Sequence, residues 1–152
     1  MNAARTPECA GASLPPHGRS IDYAIFRRAD DDGGCWQGVA GGAEFDETPR
    51  QAAVRELSEE TGIDAPGRWI ALDSIGSVPA SVFGDGHGWG PEVYVVIERA
   101  FGVEVSASQA IALSAEHADF AWLPFDEALN RLRFDSNRTA LWELNERLAR
   151  EA

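Results

Sequence analysis

Apolar and polar positions alternate from Ile21 through Asp22, Tyr23, Ala24 and Ile25, the two-residue period of a half-buried strand that runs on into Arg27 and Arg28. The following ADDDGG (Ala29 to Gly34) is turn chemistry, and an extended piece resumes over Trp36 to Val39. The period then changes. Thr48 is suited to cap a helix, Pro49 to its first position and Gln51 to close a capping box with Thr48. The helix is expected to run through Thr61 and to stop at Gly62, which adopts left-handed backbone without strain. Trp69 to Ile75 and Val93 to Ile97 read as strands, the second apolar enough to be expected centrally in a sheet. The loop FGDGHGWG (Phe83 to Gly90) separates them, and Phe120 to Leu123 forms a further strand. Helices are expected over Phe125 to Leu132 and from near Ser136, where Leu141, Leu144 and Leu148 recur at helical spacing. Strands interleaved with helices predict an α/β fold, helices packed on a mixed sheet. Residues 1–19, rich in Ala, Pro and Gly, read as a tail, leaving residues 20–152 as one domain.

At roughly 100° per residue, Arg55, Glu56, Glu59 and Glu60 fall on one arc of the first helix, with Ala53, Val54 and Leu57 opposite. Glu56 and Glu60 stack one turn apart with Glu59 beside them, and like charges so close destabilise a bare helix. A hard divalent cation offsets that repulsion: Mg²⁺ takes oxygen ligands and combines one or two carboxylates with substrate phosphates and waters. Arg55 can orient a carboxylate through a forked hydrogen bond, and Glu47, near the positive end of the helix, can hold Arg55 in turn. Taken alone, the same residues also describe an ordinary solvated helix face.

Composition narrows the class. Hydrophobic residues at 44% and charged ones at 25% suit a globular chain. The net charge is −12, and all 13 basic residues are Arg. Such a balance argues against a nucleic-acid backbone as partner, since those are bound by clustered cations. It does not argue against a small polyphosphate, to which a divalent cation bridges. Cys9 and Cys35 show no zinc spacing, and no apolar run approaches bilayer length, so a reducing, cytoplasmic setting without a membrane partner is expected. A monomer and a homodimer both remain open.

The full spacing is more specific than the helix face. Gly41, five residues, Glu47, seven residues and then Arg55-Glu56-Leu57-Ser58-Glu59-Glu60-Thr61-Gly62-Ile63 resembles the complete Nudix box, G-x5-E-x7-R-E-U-x-E-E-x-G-U, with U a bulky aliphatic. At ordinary residue frequencies the seven fixed positions coincide about once in 10⁸ to 10⁹ starting points, which sets chance aside. The resemblance implies a Nudix-type αβα sandwich with a mixed β-sheet, and a Mg²⁺-dependent pyrophosphohydrolase in which Mn²⁺ can substitute. It makes Glu56, Glu59 and Glu60 metal ligands, with Glu59 a candidate base, and Arg55 and Glu47 their supports. Its substrate would be a small nucleotide-like polyphosphate.

CWQGVAGGAE, EHADFAWLPFDEAL and DSNRTALWELNERL are similar to segments of the dihydroneopterin triphosphate pyrophosphatase branch. That similarity implies a pterin or nucleoside triphosphate substrate. It adds Glu116 as a metal ligand or base and places Arg27 and Ala40 near the substrate; Ala40 stands where the branch usually has Thr. Arg138, after the cap of the last helix, fits a phosphate contact or a surface charge. Dinucleoside polyphosphates and nucleotide sugars are alternative substrates, and a non-catalytic nucleotide sensor is the rival class, although sensors commonly have a broken box. The strand that usually opens a Nudix domain would fall on ECAGASLPPHG, a poor strand sequence. His87 is read as part of a substrate-side loop at most, His117 as having no special role, and the five Trp as packing, with Trp89 the exception.

Overall fold

The computed structural model describes residues 4–5, 9–13, 21–29, 34–65, 67–83, 88–106 and 108–151. Its strands are β1 (Ala4–Arg5), β2 (Cys9–Ser13), β3 (Asp22–Arg28), β4 (Trp36–Gln37), β5 (Trp69–Pro79), β6 (Val95–Glu104) and β7 (His117–Pro124). Its helices are α1 (Pro49–Thr61), α2 (Phe125–Arg131) and α3 (Asp135–Glu151). All seven strands join one mixed sheet. Strand β3 runs antiparallel to β7, β2 and β4, whereas β2 and β1 run parallel to β6, whose other neighbour is the antiparallel β5. Strand β2 therefore joins a β3–β7 half to a β5–β6 half.

Alternation along β3 builds both layers. Tyr23 and Ile25 pack with Leu72, Ala100 and the α2–α3 residues Ala128, Leu132, Leu141 and Leu144. Ala24 and Phe26 point the other way, onto Val39, Phe101, Val103 and the α1 residues Ala53 and Leu57. The sheet thus lies between α1 on one face and α2–α3 on the other, the expected αβα sandwich. Against the second face, Gly102 admits Leu144 so closely that an added Cβ would stand 2.4 Å from its Cδ1.

Helix α1 begins and ends where its sequence predicts. The Thr48 hydroxyl accepts the Gln51 N–H, the Gln51 side chain accepts the Thr48 N–H, and Pro49 opens the first turn. Gly62 closes the helix at φ 67° and returns its N–H to the Ser58 carbonyl.

Three expectations need correction. Cys9–Ser13 is a sheet strand paired on both sides, so residues 1–19 are not simply a tail; backbone hydrogen bonds build this strand despite its small side chains. The apolar Val93 to Ile97 is not the sheet's centre: Val95 and Ile97 are exposed, and the buried run is Ala100–Val103, further along β6. Strand β5 continues past Ile75 to Pro79, because the irregular register between Ala71 and Ile75 is filled by Glu143 of α3, which accepts the N–H groups of Asp73 and Ser74 at 2.8 Å each. Among the described residues no helix is long and apolar enough to cross a membrane.

The capping box contributes measurably to the scaffold. Thr48→Ala leaves the Gln51 N–H without its acceptor and is expected to lower stability by about 1 kcal/mol. A urea unfolding midpoint shifted down at unchanged slope checks it.

Candidate functional site

The site begins as a loop held against a helix. Arg55 of α1 grips Glu47 with two parallel bonds, Nε to Oε1 at 2.8 Å and Nη2 to Oε2 at 2.9 Å. Its Nη2 also reaches the Gly42 carbonyl at 2.8 Å, and Glu47 accepts the Glu44 N–H at 2.8 Å. One guanidinium therefore fixes residues 42–47 over the helix. The planar fork suits this double contact in a way that an ammonium does not.

Arg55 also faces the acidic group. Its Nη1 lies 2.9 Å from Glu56 Oε1 and 3.2 Å from Glu59 Oε2. Glu56 lies directly under Gly41, where an added Cβ would come within 1.9 Å of the carboxyl carbon, so only glycine admits this approach. The Arg55 hydrogen bond, with that of the Glu44 N–H, pulls the Glu47 carboxyl down to about 2.

Glu60 departs from its expected place. It is buried, with Ala52, Ala53, Leu57 and Thr61, whereas Val54, expected on the packed side, is exposed. The wheel explains this: Glu60 follows Ala53 by seven residues and returns to within roughly 20° of it, at the border of the packed stripe. Its carboxylate meets His117 Nε2 at 2.7 Å, both side chains being almost wholly enclosed. Burial pushes the Glu60 carboxyl above its usual range, the contact with His117 pulls it back, and the charges of Glu116 and Glu56 add to the rise.

His117 is thus a site residue that sequence reasoning passed over. The expected strand began at Phe120, but β7 starts at His117 and pairs it with Arg28. A two-residue count back from Phe120 and Trp122 would have reached Ala118 and Glu116 instead; a register irregularity between Arg27 and Arg28 accompanies the placement of His117 on the α1 face, beside Phe26. The segment before β7 is anchored on the end of α1, Ala112 N–H to Thr61 O at 2.8 Å and Ser114 N–H to Glu60 O at 2.9 Å. Ala29 N–H binds the Glu116 carbonyl at 2.9 Å, tying the end of β3 to the same place.

Glu47, Arg55, Glu56 and Glu59 form one hydrogen-bonded cluster; Glu60 and Glu116 adjoin it through their charges. The other candidates stand apart from this hydrogen-bonded group. Arg27 is half-buried, its stem across Gly34, where a Cβ would meet Cδ at 2.6 Å. Ala40 is half-buried on the segment leading into the box. Arg138 donates to the Leu129 carbonyl at 2.6 Å, joining α3 to α2. Beside it, the buried Asn137 accepts the Gly38 N–H at 2.9 Å, a role within the SNR segment that attention to Arg138 missed. Trp89 packs edge-on against Phe83 with centroids 5.3 Å apart, Trp142 is exposed on α3, and His87 lies outside the described residues. A cavity of about 260 Å³ opens between β5, β6 and the start of α3, its wall including Ser74, Gly76, Glu98, Arg99, Ser136 and Thr139.

The donors around α1 are all carboxylate oxygens, the chemistry of a hard divalent cation rather than of zinc or copper. Among the described residues no three acidic, His or Cys side chains already converge as a cage. Arg55 spans Glu56 and Glu59 instead. Burial is the main reason the Glu60 carboxyl is raised, and the nearby charges of Glu116 and Glu56 add to it; a cation would offset those charges, so the donor set fits in type and in charge.

Comparison with known proteins supplies the family and the fold. The NUDIX domain family matches residues 16–142. An octanoyltransferase of Myxococcus xanthus is 38% identical over 127 residues, 84% of this chain, which spans only 33% of that relative's length. The dihydroneopterin triphosphate diphosphatase of Haemophilus influenzae is 33% identical over 125 residues, covering 81% of this chain and 78% of its own. A crystal structure assigned to the Nudix hydrolases from Listeria monocytogenes superposes with a TM-score of 0.81 at 31% identity, covering 97% of this chain and 95% of that one. Fold, box spacing and relatives converge on one assignment: the chain belongs to the Nudix family of hydrolases acting on phosphoanhydrides.

Proposed function

We propose that this chain is a Mg²⁺-dependent pyrophosphohydrolase that cleaves a phosphoanhydride bond of a nucleoside-diphosphate-like small molecule, a pterin or nucleoside triphosphate above all. The observation that carries the reading is the acidic end of α1, where Glu56 and Glu59 share a single guanidinium and Glu60 lies buried beside them. Glu56, Glu59, Glu60 and Glu116 would hold the ion, for which Mn²⁺ would substitute. When bound, it polarises phosphoryl oxygens and offsets charge on the leaving group.

The remaining work falls to the chain itself. Glu59, the most exposed carboxylate that Arg55 contacts, takes the proton of the attacking water, with Glu116 the other candidate. Arg55 and Glu47 keep the loop over the helix so that Glu56 stays under Gly41. Arg27 and Arg138 offer guanidinium groups to the phosphate chain, and the small Ala40 leaves room beside it. The organic end of the substrate lodges in the cavity between β5, β6 and α3. The pterin preference is supported by the Haemophilus influenzae relative, named for that substrate.

A panel of pterin, nucleoside and dinucleoside polyphosphates and nucleotide sugars, run with Mg²⁺ in ¹⁸O-labelled water, identifies both the substrate and the bond broken. Turnover is expected to stop with chelator. Glu56→Gln and Glu59→Gln are each expected to lower kcat by about 100-fold or more while the fold stays intact. Full activity in both variants, or ligand-dependent thermal stabilisation without product, would overturn the reading.

The loop staple has its own signature. Because folding lowers the Glu47 carboxyl from 4.5 to about 2, its contribution is complete above about 4.5 and disappears as pH falls through about 2. Arg55→Met is expected to return the Glu47 titration toward its ordinary range and to remove that part of the acid dependence. A carboxyl-carbon NMR titration of both proteins measures it.

A further inference from the structure

The His117–Glu60 contact joins two elements far apart in sequence, and neither the box spacing nor any packing need explains it. His117 Nδ1 is buried without a hydrogen-bond partner, while Nε2 lies 2.7 Å from Glu60 Oε2. A buried N–H is harder to leave orphaned than a lone pair, so the proton sits on Nε2 and is donated to the carboxylate. The ring itself is fixed. Phe26 packs on it with centroids 5.5 Å apart, and its backbone is held by the Ser114 carbonyl and by the β3 pairing at Arg28. Glu60 is clamped as well, since its own carbonyl accepts the Ser114 N–H. A long side chain on a helix surface ordinarily samples several rotamers. Here a rigid donor selects one, using a single carboxylate oxygen and leaving the second.

We infer that His117 is a positioning residue: its Nε2–H holds Glu60 in the one rotamer that presents the other oxygen to a divalent cation on α1. This rests on the reading of the helix carboxylates as a metal site. Hydrogen-bond partners of ligating groups commonly govern metal affinity in this way, and losing one costs about 10- to 100-fold in affinity or activity.

The test is equilibrium binding of Mn²⁺ to the full chain without substrate, followed by the paramagnetic resonance of the free ion, with a thermal unfolding curve for each protein. His117→Leu is expected to weaken Mn²⁺ binding by about 10- to 100-fold. His117→Gln, whose amide nitrogen can occupy the Nε2 position, is expected to stay within about threefold of the unaltered protein; His117→Asn, whose amide reaches only as far as Nδ1, is expected to behave like Leu. If the Leu variant does not fold, the Gln and Asn comparison carries the result. Equal Mn²⁺ affinity in folded Asn and Gln variants and the unaltered protein overturns the inference. So does a Gln variant as impaired as Asn, since ring packing and not the hydrogen bond would then matter. Should the unaltered protein bind no Mn²⁺, or bind it equally after Glu56→Gln and Glu59→Gln, the metal site itself fails. Binding that depends on Glu56 and Glu59 but ignores His117 sinks the positioning role alone.

Discussion

The Arg55 guanidinium is the contact on which the site depends. It spans the gap between the box loop and α1, binding Glu47 in a fork, capturing the Gly42 carbonyl and reaching Glu56 and Glu59 with its remaining edge. Without it, residues 42–47 would be a glycine-bearing loop next to an acidic helix, with repulsion pushing the two apart. With it, Glu47 becomes part of the scaffold and the other carboxylates are brought close without being fully neutralised. Its half-shielded position matters, because fully exposed ion pairs contribute little. Several bonds converging on one planar group give the loop a single geometry.

That geometry imposes conditions on the backbone. Gly41 has no side chain because Glu56 occupies the place of one, and Gly62 turns left-handed so that the chain leaves the helix towards Ile63, which is buried in the core. The helix is also locked from its far side. Thr61 and Glu60 offer their carbonyls to Ala112 and Ser114, so the segment that delivers Glu116 and His117 is docked on the same turn that carries Glu59 and Glu60. Position along α1 and position along β7 are therefore coupled through backbone hydrogen bonds before any side chain contributes.

What the sequence made legible follows from how local each signal is. Helix α1 was legible to the residue because its cap, its proline, its stop and its period all lie within fifteen consecutive positions that agree. The two-faced strand β3 was legible because its alternation is undiluted. Non-local features were not legible. Strand β2 consists of small residues, and its membership in the sheet comes from neighbours β3 and β6, which no local propensity reports. The buried run of β6 contains Gly102 and directly follows the charged Glu98 and Arg99, so composition pointed to the wrong half of the strand. His117 was invisible for the same reason. A single histidine carries no periodic signal, and its partner is 57 residues away. Glu47, Glu56 and Glu59 do gather on Arg55, as the helix face suggested, yet Glu60 was assigned an exposed setting that a 340° wheel angle, adjacent to Ala53, argues against.

The burial of Glu60 is therefore the feature most in need of a physical reason. Enclosing a carboxylate against His117 removes both groups from water, and a buried pair of this kind commonly adds little or nothing to stability over two well-packed apolar side chains. The pair borders the apolar cluster that contains Ala53, Leu57 and Phe26, Phe26 packing directly on the His117 ring. The fold thus gains no evident advantage from the pair, which is consistent with the proposed role of placing charge. A carboxylate beside the apolar layer experiences a lower effective dielectric than one on the outer face, so its attraction for a multivalent cation is less screened. Glu56 is partly shielded under Gly41, Glu59 is mostly exposed, and Glu60 is enclosed. The three therefore form a gradient from solvent to core along one helical turn, in which the outermost acid can change partners while the innermost cannot. An arrangement with one fixed and one adaptable oxygen donor suits an ion that must accept substrate phosphates without losing its place in the protein.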